Sequence, residues 1–311
     1  MNPVPPRLLV TIDTECDRTP TWRTSSPLSF RGVTDSIPRR IQPLFERFGV
    51  RPTYLISSEV ICHPESAAVL ASLRNVELST HLHGDDMTPR IKTWEMAGGV
   101  TDQMQWEYGE DLERSKLETL TELFRQHFDH QPLSFRAGRF GAGPHTGRIL
   151  KDLGYVIDSS VTPHVCWTSR TGEKRPDYRD FPEIPYALGA DGDISRTGKG
   201  GILELPVTVL APGTVLSKNP TEPIWFRPWY SDEDTLCRIL DYVLDQPAVD
   251  GVHRPLVMMF HNVELFPGAS PYPQTEAEVQ RYLDMMARVF ERAEQRGIQS
   301  CTMAELSLIH I

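Results

Sequence analysis

The sequence predicts an α/β protein whose parallel strands close into a barrel within one domain. Short apolar, β-rich runs alternate with longer amphipathic stretches, the order expected of strands joined by right-handed helical crossovers. Roughly seven or eight such units are present, which suggests a closed sheet rather than an open one. No repeat, low-complexity tract or shift of composition marks a second domain, and 311 residues give ample length for one dry core.

In chain order, the apolar runs place strands at 8–12, 53–56, 76–79, 134–135, 156–157, 202–205, 256–260 and 299–302. Amphipathic periodicity places helices between them at 36–48, 65–73, 107–128, 146–153, 232–244 and 275–296. Leu112, Leu117, Leu120 and Leu123–Phe124 share one helical face, as do Tyr282, Met285–Met286, Val289 and Ala293. Gly49, Gly154 and Gly297 stand where helix C-caps are needed. Two stretches break the rhythm, 85–105 and 168–201; long irregular segments in a compact domain are expected as lids or binding loops.

The formal net charge of −10, with no Lys/Arg cluster, argues against a nucleic-acid partner. No run approaches the ~20 apolar residues of a membrane helix, and the opening MNPVPPRLLVTID is not expected to act as a signal peptide. The five cysteines are odd in number and scattered without CxxC spacing, so neither a disulfide framework nor a thiolate zinc site is expected. A cytoplasmic location follows as the expectation.

Parallel α/β folds keep their chemistry at the C-terminal ends of strands, and four such ends carry polar groups. In LLVTIDTECD, strand alternation sends Asp13 and Glu15 to the same side, where a carboxylate pair is costly unless positive charge lies beside it. Turn or helix capping is the plain alternative. In HLHGDD, His81 and His83 likewise point the same way, suiting two ligands of one ion; two imidazoles and a carboxylate fit zinc with a position left for water. Two surface histidines beside acidic partners are the plain alternative. In FRAGRFGAG, Arg136 is placed to pair with Asp13 or to be solvated, and the glycines let backbone approach closely. In MMFHNVE, His261 ends an apolar strand, either as a proton donor or as a satisfied structural histidine. Asp158 is its candidate partner, or else caps the turn amides of Ser159–Ser160.

Taken together and in this order, these motifs resemble the polysaccharide deacetylase family (NodB-like, carbohydrate esterase family 4). The resemblance runs from Thr11 to about Leu306, and THLH, SFRAGRFG and FHNVELFPGASPY resemble a subgroup found with cell-surface glycan biosynthesis. It implies a distorted (β/α)7-type barrel, with 1–311 as one catalytic domain that removes acetyl groups from glycans using one divalent ion, most often Zn2+. The family's TFDD motif corresponds to Thr11-Ile12-Asp13-Thr14, which makes Asp13 the base. Thr14 departs from the family's metal-binding Asp, and the residue two along, Glu15, is the implied ligand. The second motif's paired histidines usually stand four apart; here His81 matches the first, Asp85 holds the second place, and His83 supplies the HxH form. The implied metal set is Glu15, His81 and His83, with Asp85 in reserve. Arg136 matches the arginine that pairs with the base, Asp158 the fourth motif's Asp without its usual Trp neighbour, and His261 the general acid.

The resemblance therefore implies metal-assisted amide hydrolysis of an amino-sugar glycan or its precursor. Asp13 deprotonates water, a backbone N–H near Phe140 helps hold the oxyanion, and His261 protonates the departing amine. Arg136 keeps Asp13 ionised and Asp158 keeps His261 charged. Trp94, Trp167, Trp225, Trp229 and Tyr230 are candidates to stack on sugar rings. Two alternatives stay open at this point: hydrolysis of another C–N amide on the same scaffold, and a sugar-binding barrel without turnover.

Overall fold

A computed structural model describes residues 6–84, 104–168, 176–214, 219–248 and 253–310. The apolar run predicted at 8–12 lies within β1 (Arg7–Thr14), buried from Leu8 onward, as a central strand covered on both faces must be. The chain then adds β2 (Thr53–Ile56), β3 (Glu77–Leu82), β4 (Ser134–Ala137), β5 (Ile157–Asp158), β6 (Tyr186–Ala187), β7 (Leu203–Glu204), β8 (Val209–Leu210), β9 (Ile224–Trp225), β10 (Leu256–His261) and β11 (Gln299–Ser300). The principal sheet runs β10-β1-β2-β3-β4-β5-β7-β6, with β11 on the N-terminal part of β1. Its pairings are parallel except β6 with β7.

The sheet curls until its two ends meet. After β7, Leu205 N–H still donates to Asp158 O on β5 (2.7 Å), whereas Thr208 N–H donates to Val257 O on β10 (3.1 Å). Thr208 Oγ1 accepts from Val257 N–H in return (2.8 Å). This segment links the two edges and closes the distorted barrel in a single domain.

Alternation divides each strand between two cores. Leu8, Val10 and Ile12 of β1, with Phe135 and Ala137 of β4 and Met258 and Phe260 of β10, pack outward in one large cluster against the helices. Leu9, Leu55, Ile157, Leu203 and Val257 point inward, where Met303 and Leu306 of the last helix (Met303–His310) plug the N-terminal end of the barrel. The inward rows then change from apolar to polar toward the other end: Leu9, Thr11, Asp13 on one strand and Val257, Met259, His261 on another.

The helices follow the predicted stripes. Glu110–Phe128 buries Leu117, Leu120 and Phe124. Glu276–Gln295 buries Tyr282, Met286, Val289 and Ala293 behind a Thr275–Glu278 capping box. Gly49, Gly154 and Gly297 all adopt positive φ at helix ends. The first helix differs from its expected bounds: it opens as a wide-turned stretch, Gly32–Ile41, in which Gln42 N–H bonds back to Ile37 O, and becomes an α-helix only at Gln42–Phe48. Pro38 lies inside the wide turn and offers no N–H to an ordinary ladder. Among the described residues, no helix is long and apolar enough to cross a membrane.

Candidate active site

The polar ends of the inward rows meet because parallel register aligns them. Asp13 pairs with His261 across β1 and β10, and His81 with Arg136 across β3 and β4. β3 and β10 run further than predicted, so His81 and His261 sit inside the last strand turns rather than in loops. Strand backbone fixes them more firmly than a loop would.

Glu15, His81 and His83 form one cluster, each offering a ligand atom within 4.8 Å of the others. Glu15 Oε1 lies 2.8 Å from His83 Nε2 and 3.3 Å from His81 Nε2. His81 Nδ1 faces the Arg136 carbonyl at 2.9 Å, which places the proton on Nδ1 and leaves Nε2 bare, as a metal-ligating imidazole requires. Arg18 holds the far oxygen of Glu15, its Nε donating to Oε2 at 2.8 Å. Asn262 brackets the Glu15 backbone, accepting from its N–H (2.8 Å) and donating to its carbonyl (2.9 Å). Burial alone would raise the Glu15 carboxyl, but Arg18, His83 and His81 outweigh it and hold Glu15 well below the usual carboxylate range. Burial pushes His83 down, whereas Asp13 and Glu15 overcome the burial of His81 and push it up. The buried Glu15 carboxylate thus faces the spot where a cation would sit, and the tightly packed two-imidazole, one-carboxylate donor set fits a divalent ion of the zinc type.

Asp13 stands beside this cluster, its Oδ2 4.0 Å from His81 Nε2 and 3.9 Å from His261 Nε2. Arg136 is fully buried and donates through Nη1 to Asp13 Oδ1 (2.7 Å) and through Nη2 to Thr11 Oγ1 (3.0 Å) and Ser159 Oγ (2.9 Å). Burial works against the Asp13 carboxylate, but Arg136, His81 and His261 prevail and lower its pKa. Thr14 points away and donates to Ile12 O (3.0 Å), outside the cluster.

Asp158 is not the partner of His261. Its Oδ1 accepts from Ser160 (2.6 Å) and it shares a hydrogen bond with the neighbouring Glu204 carboxyl. Burial pushes Asp158 up to about 6 and Glu204 well above its ordinary range, so the two carboxyls share a proton behind Arg136. The group facing His261 Nδ1 is Glu264 Oε1 at 3.0 Å. Ile157 points inward on β5, so alternation sends Asp158 to the opposite face, whereas the turn after β10 folds Glu264 directly beneath the imidazole.

A cavity of about 350 Å³ opens over these groups, lined by Asp13, Glu15, His81, His83 and His261 together with aromatic and arginine side chains. That volume suits a small polar ligand. Phe140 and Trp167 both line it, but they stack on each other with centroids 5.4 Å apart, forming one wall. Arg139 and Phe140 both adopt φ of 54° without being glycine, which turns the backbone sharply at the rim. At Gly138 a Cβ would come within 2.9 Å of His83 Nδ1, so this loop must approach the histidine closely. Tyr230 lines the cavity; Trp229 packs on Tyr272 and Tyr282, and Trp225 lies behind Trp167. Trp94 and Asp85 fall outside the described residues.

Arg18, Trp22, Arg227, Glu264 and Tyr272 belong to this site without having been predicted. Trp22 lies over His261 at 5.1 Å in a left-handed turn. Only Glu264, three residues beyond a strand-end histidine, carried a local signal.

No family model matches the sequence and no curated protein does. Solved structures do. PuuE allantoinase overlaps 97% of this chain and 88% of its own, with a TM-score of 0.55 at 15% identity. A candidate polysaccharide deacetylase from Mycobacterium smegmatis overlaps 97% of both chains, with a TM-score of 0.50 at 16% identity. A family 4 carbohydrate esterase from Streptomyces lividans, solved with acetate, overlaps 95% of this chain and 91% of its own more loosely, with a TM-score of 0.44 at 10% identity. The fold is that of the polysaccharide deacetylases. Identities of this size speak to fold alone.

Proposed function

We propose that the protein is a metal-dependent hydrolase that removes an N-acetyl or related acyl group from an amino-sugar-containing glycan or its precursor, with residues 1–311 acting as one catalytic domain. The observation that carries this reading is the ligand cluster flanked by a carboxylate and an imidazole: Asp13 and His261 approach each other to 3.9 Å beside Glu15, His81 and His83. Glu15, His81 and His83 would hold the ion, for which zinc is the best fit. When bound, it supplies Lewis acidity, polarising an acyl carbonyl and making water easier to deprotonate.

The chain's own groups do the rest. Asp13, kept ionised by Arg136, accepts a proton from the attacking water. His261 delivers a proton through Nε2 to the amine that leaves. Phe140 and Trp167 line the cavity and would shield the acyl group there, and the backbone at Phe140 is the candidate oxyanion donor. Trp22, Tyr230 and Tyr272 offer faces to a sugar ring. A cytoplasmic location belongs to the same proposal and is supported by five cysteines of which none forms a disulfide.

Incubation of zinc-loaded protein with N-acetylglucosamine oligomers and related N-acetylhexosamines, with acetate measured enzymatically, tests this. Acetate release that disappears in Asp13→Asn is expected. Hydrolysis of a cyclic amide without acetate release would redirect the substrate class, and inertness toward both, with zinc bound, would contradict the hydrolase reading.

A further inference from the structure

We propose that Glu264 is the positioning residue for His261, holding its imidazole with the proton on Nδ1 and Nε2 turned to the reaction cavity, and that Arg227 and Tyr282 fix Glu264 in turn. The consequence for catalysis rests on the hydrolase reading; the assignment itself rests on geometry.

β10 ends at His261, and the short turn Asn262–Leu265 brings Glu264 back under the ring. Glu264 Oε1 receives three donors: Arg227 Nη2 at 2.9 Å, His261 Nδ1 at 3.0 Å and the His261 backbone N–H at 3.2 Å. Oε2 accepts from Tyr282 OH at 3.0 Å. Glu264 is fully buried, with Arg227 and Tyr282 nearly so. Such a carboxylate is tolerable only with this many partners.

Arg227 Nη2 also lies 3.3 Å from His261 Nδ1. A guanidinium only donates, so two arrangements compete: a bare Nδ1 accepting from Arg227, or an Nδ1–H donating to Glu264. The carboxylate is nearer and charged, and a bare nitrogen lone pair facing it would be repelled. The charged acceptor therefore wins. Among the described residues, Asp13 also approaches the ring, 3.9 Å from Nε2, and Trp22 lies tilted against it with centroids 5.1 Å apart. Nε2 thus stays open to the cavity beside the base, where a leaving amine would meet it. Asp158, bound to Ser160 and Glu204, has no part in this.

The tautomer can be read directly, without activity. Histidine 15N NMR of the wild-type protein above the titration range, with His261 assigned by its loss in His261→Gln, should show the neutral ring protonated at Nδ1. A wild-type ring protonated at Nε2 overturns the proposal even if no Glu264 variant folds. In Glu264→Gln, where folded with zinc content unchanged, the tautomer should become mixed. Where acetate release is established, kcat in that variant should fall about a hundredfold with KM nearly constant, and the alkaline limb of the pH profile should move to lower pH. Unaltered tautomer and kcat in the folded variant would also overturn it. A wild-type protein inert toward acyl substrates would retire the hydrolase reading while the tautomer still decides this one.

Discussion

Asp13 and Glu15 stand two residues apart on one strand face, and their neighbours give them different work. Asp13 is held by Arg136 and looks toward His261, whereas Glu15 is held by Arg18 and looks toward Nε2 of His81 and of His83. Asp13→Asn should therefore retain its metal, shown by elemental analysis, and lose turnover by at least the ~10²–10⁴ typical of a general base; retained acetate release would refute the assignment. The same-side placement of Asp13 with Glu15 and of His81 with His83 was legible, because alternation is a local rule with a period of two. The partner of His261 was not. Choosing between Asp158 and Glu264 depends on Arg227, Glu204 and Tyr282, which are remote in sequence and carry no periodic signal.

Elements matter through the loops they tie down. Asp17 gathers the segment after β1 by accepting from Arg31 N–H (2.9 Å) and Gly32 N–H (2.8 Å), while Asn262 clamps Glu15 from the turn after β10. A Cβ at Gly32 would fall within 2.9 Å of both Asp17 Oδ1 and Asn262 Nδ2. Gly32→Ala should accordingly cost about 1–3 kcal/mol in denaturant titration and weaken zinc retention; a variant with wild-type values for both would show that the clamp is dispensable. The buried Lys116 performs a similar task on the other side, donating to Gly84 O (2.6 Å) just after His83. Lys116→Met should leave that carbonyl unpaired and lower stability by about 1–3 kcal/mol. The strands and helices that apolar runs and stripes mark were read from the sequence to within a few residues, whereas β6, β8, β9 and the helices Ser58–Ile61 and Met303–His310 were not expected. The wide turn at Gly32–Ile41 and the extension of β3 to Leu82 were not, since both depend on what the neighbouring strands pair with.

At the scale of the whole molecule, two sets of buried carboxyls are shifted in opposite directions. Asp13, Glu15 and Glu264 are held below their ordinary values by cationic partners that outweigh burial. Their contribution is present above about pH 4 and is lost as acid takes the pH through their lower folded values. Asp158, raised to about 6, and Glu204, raised further, act in the other direction. Their contribution is complete below about pH 4 and drains away as pH rises through 6 and beyond. Thermal melts of Asp158→Asn should thus decline less steeply between about pH 4 and 7 than those of the parent, and an equal slope would contradict the shared proton. The barrel class was legible from the alternation of elements, but its closure through Thr208 rests on side-chain and backbone contacts across the sheet that no local pattern announces. Turnover by this site requires that Glu15, His81 and His83 hold one ion. Zinc counted by elemental analysis in purified wild-type, His81→Ala and His83→Ala proteins should be one per chain in the first and largely lost in both variants; full occupancy in both variants would contradict it.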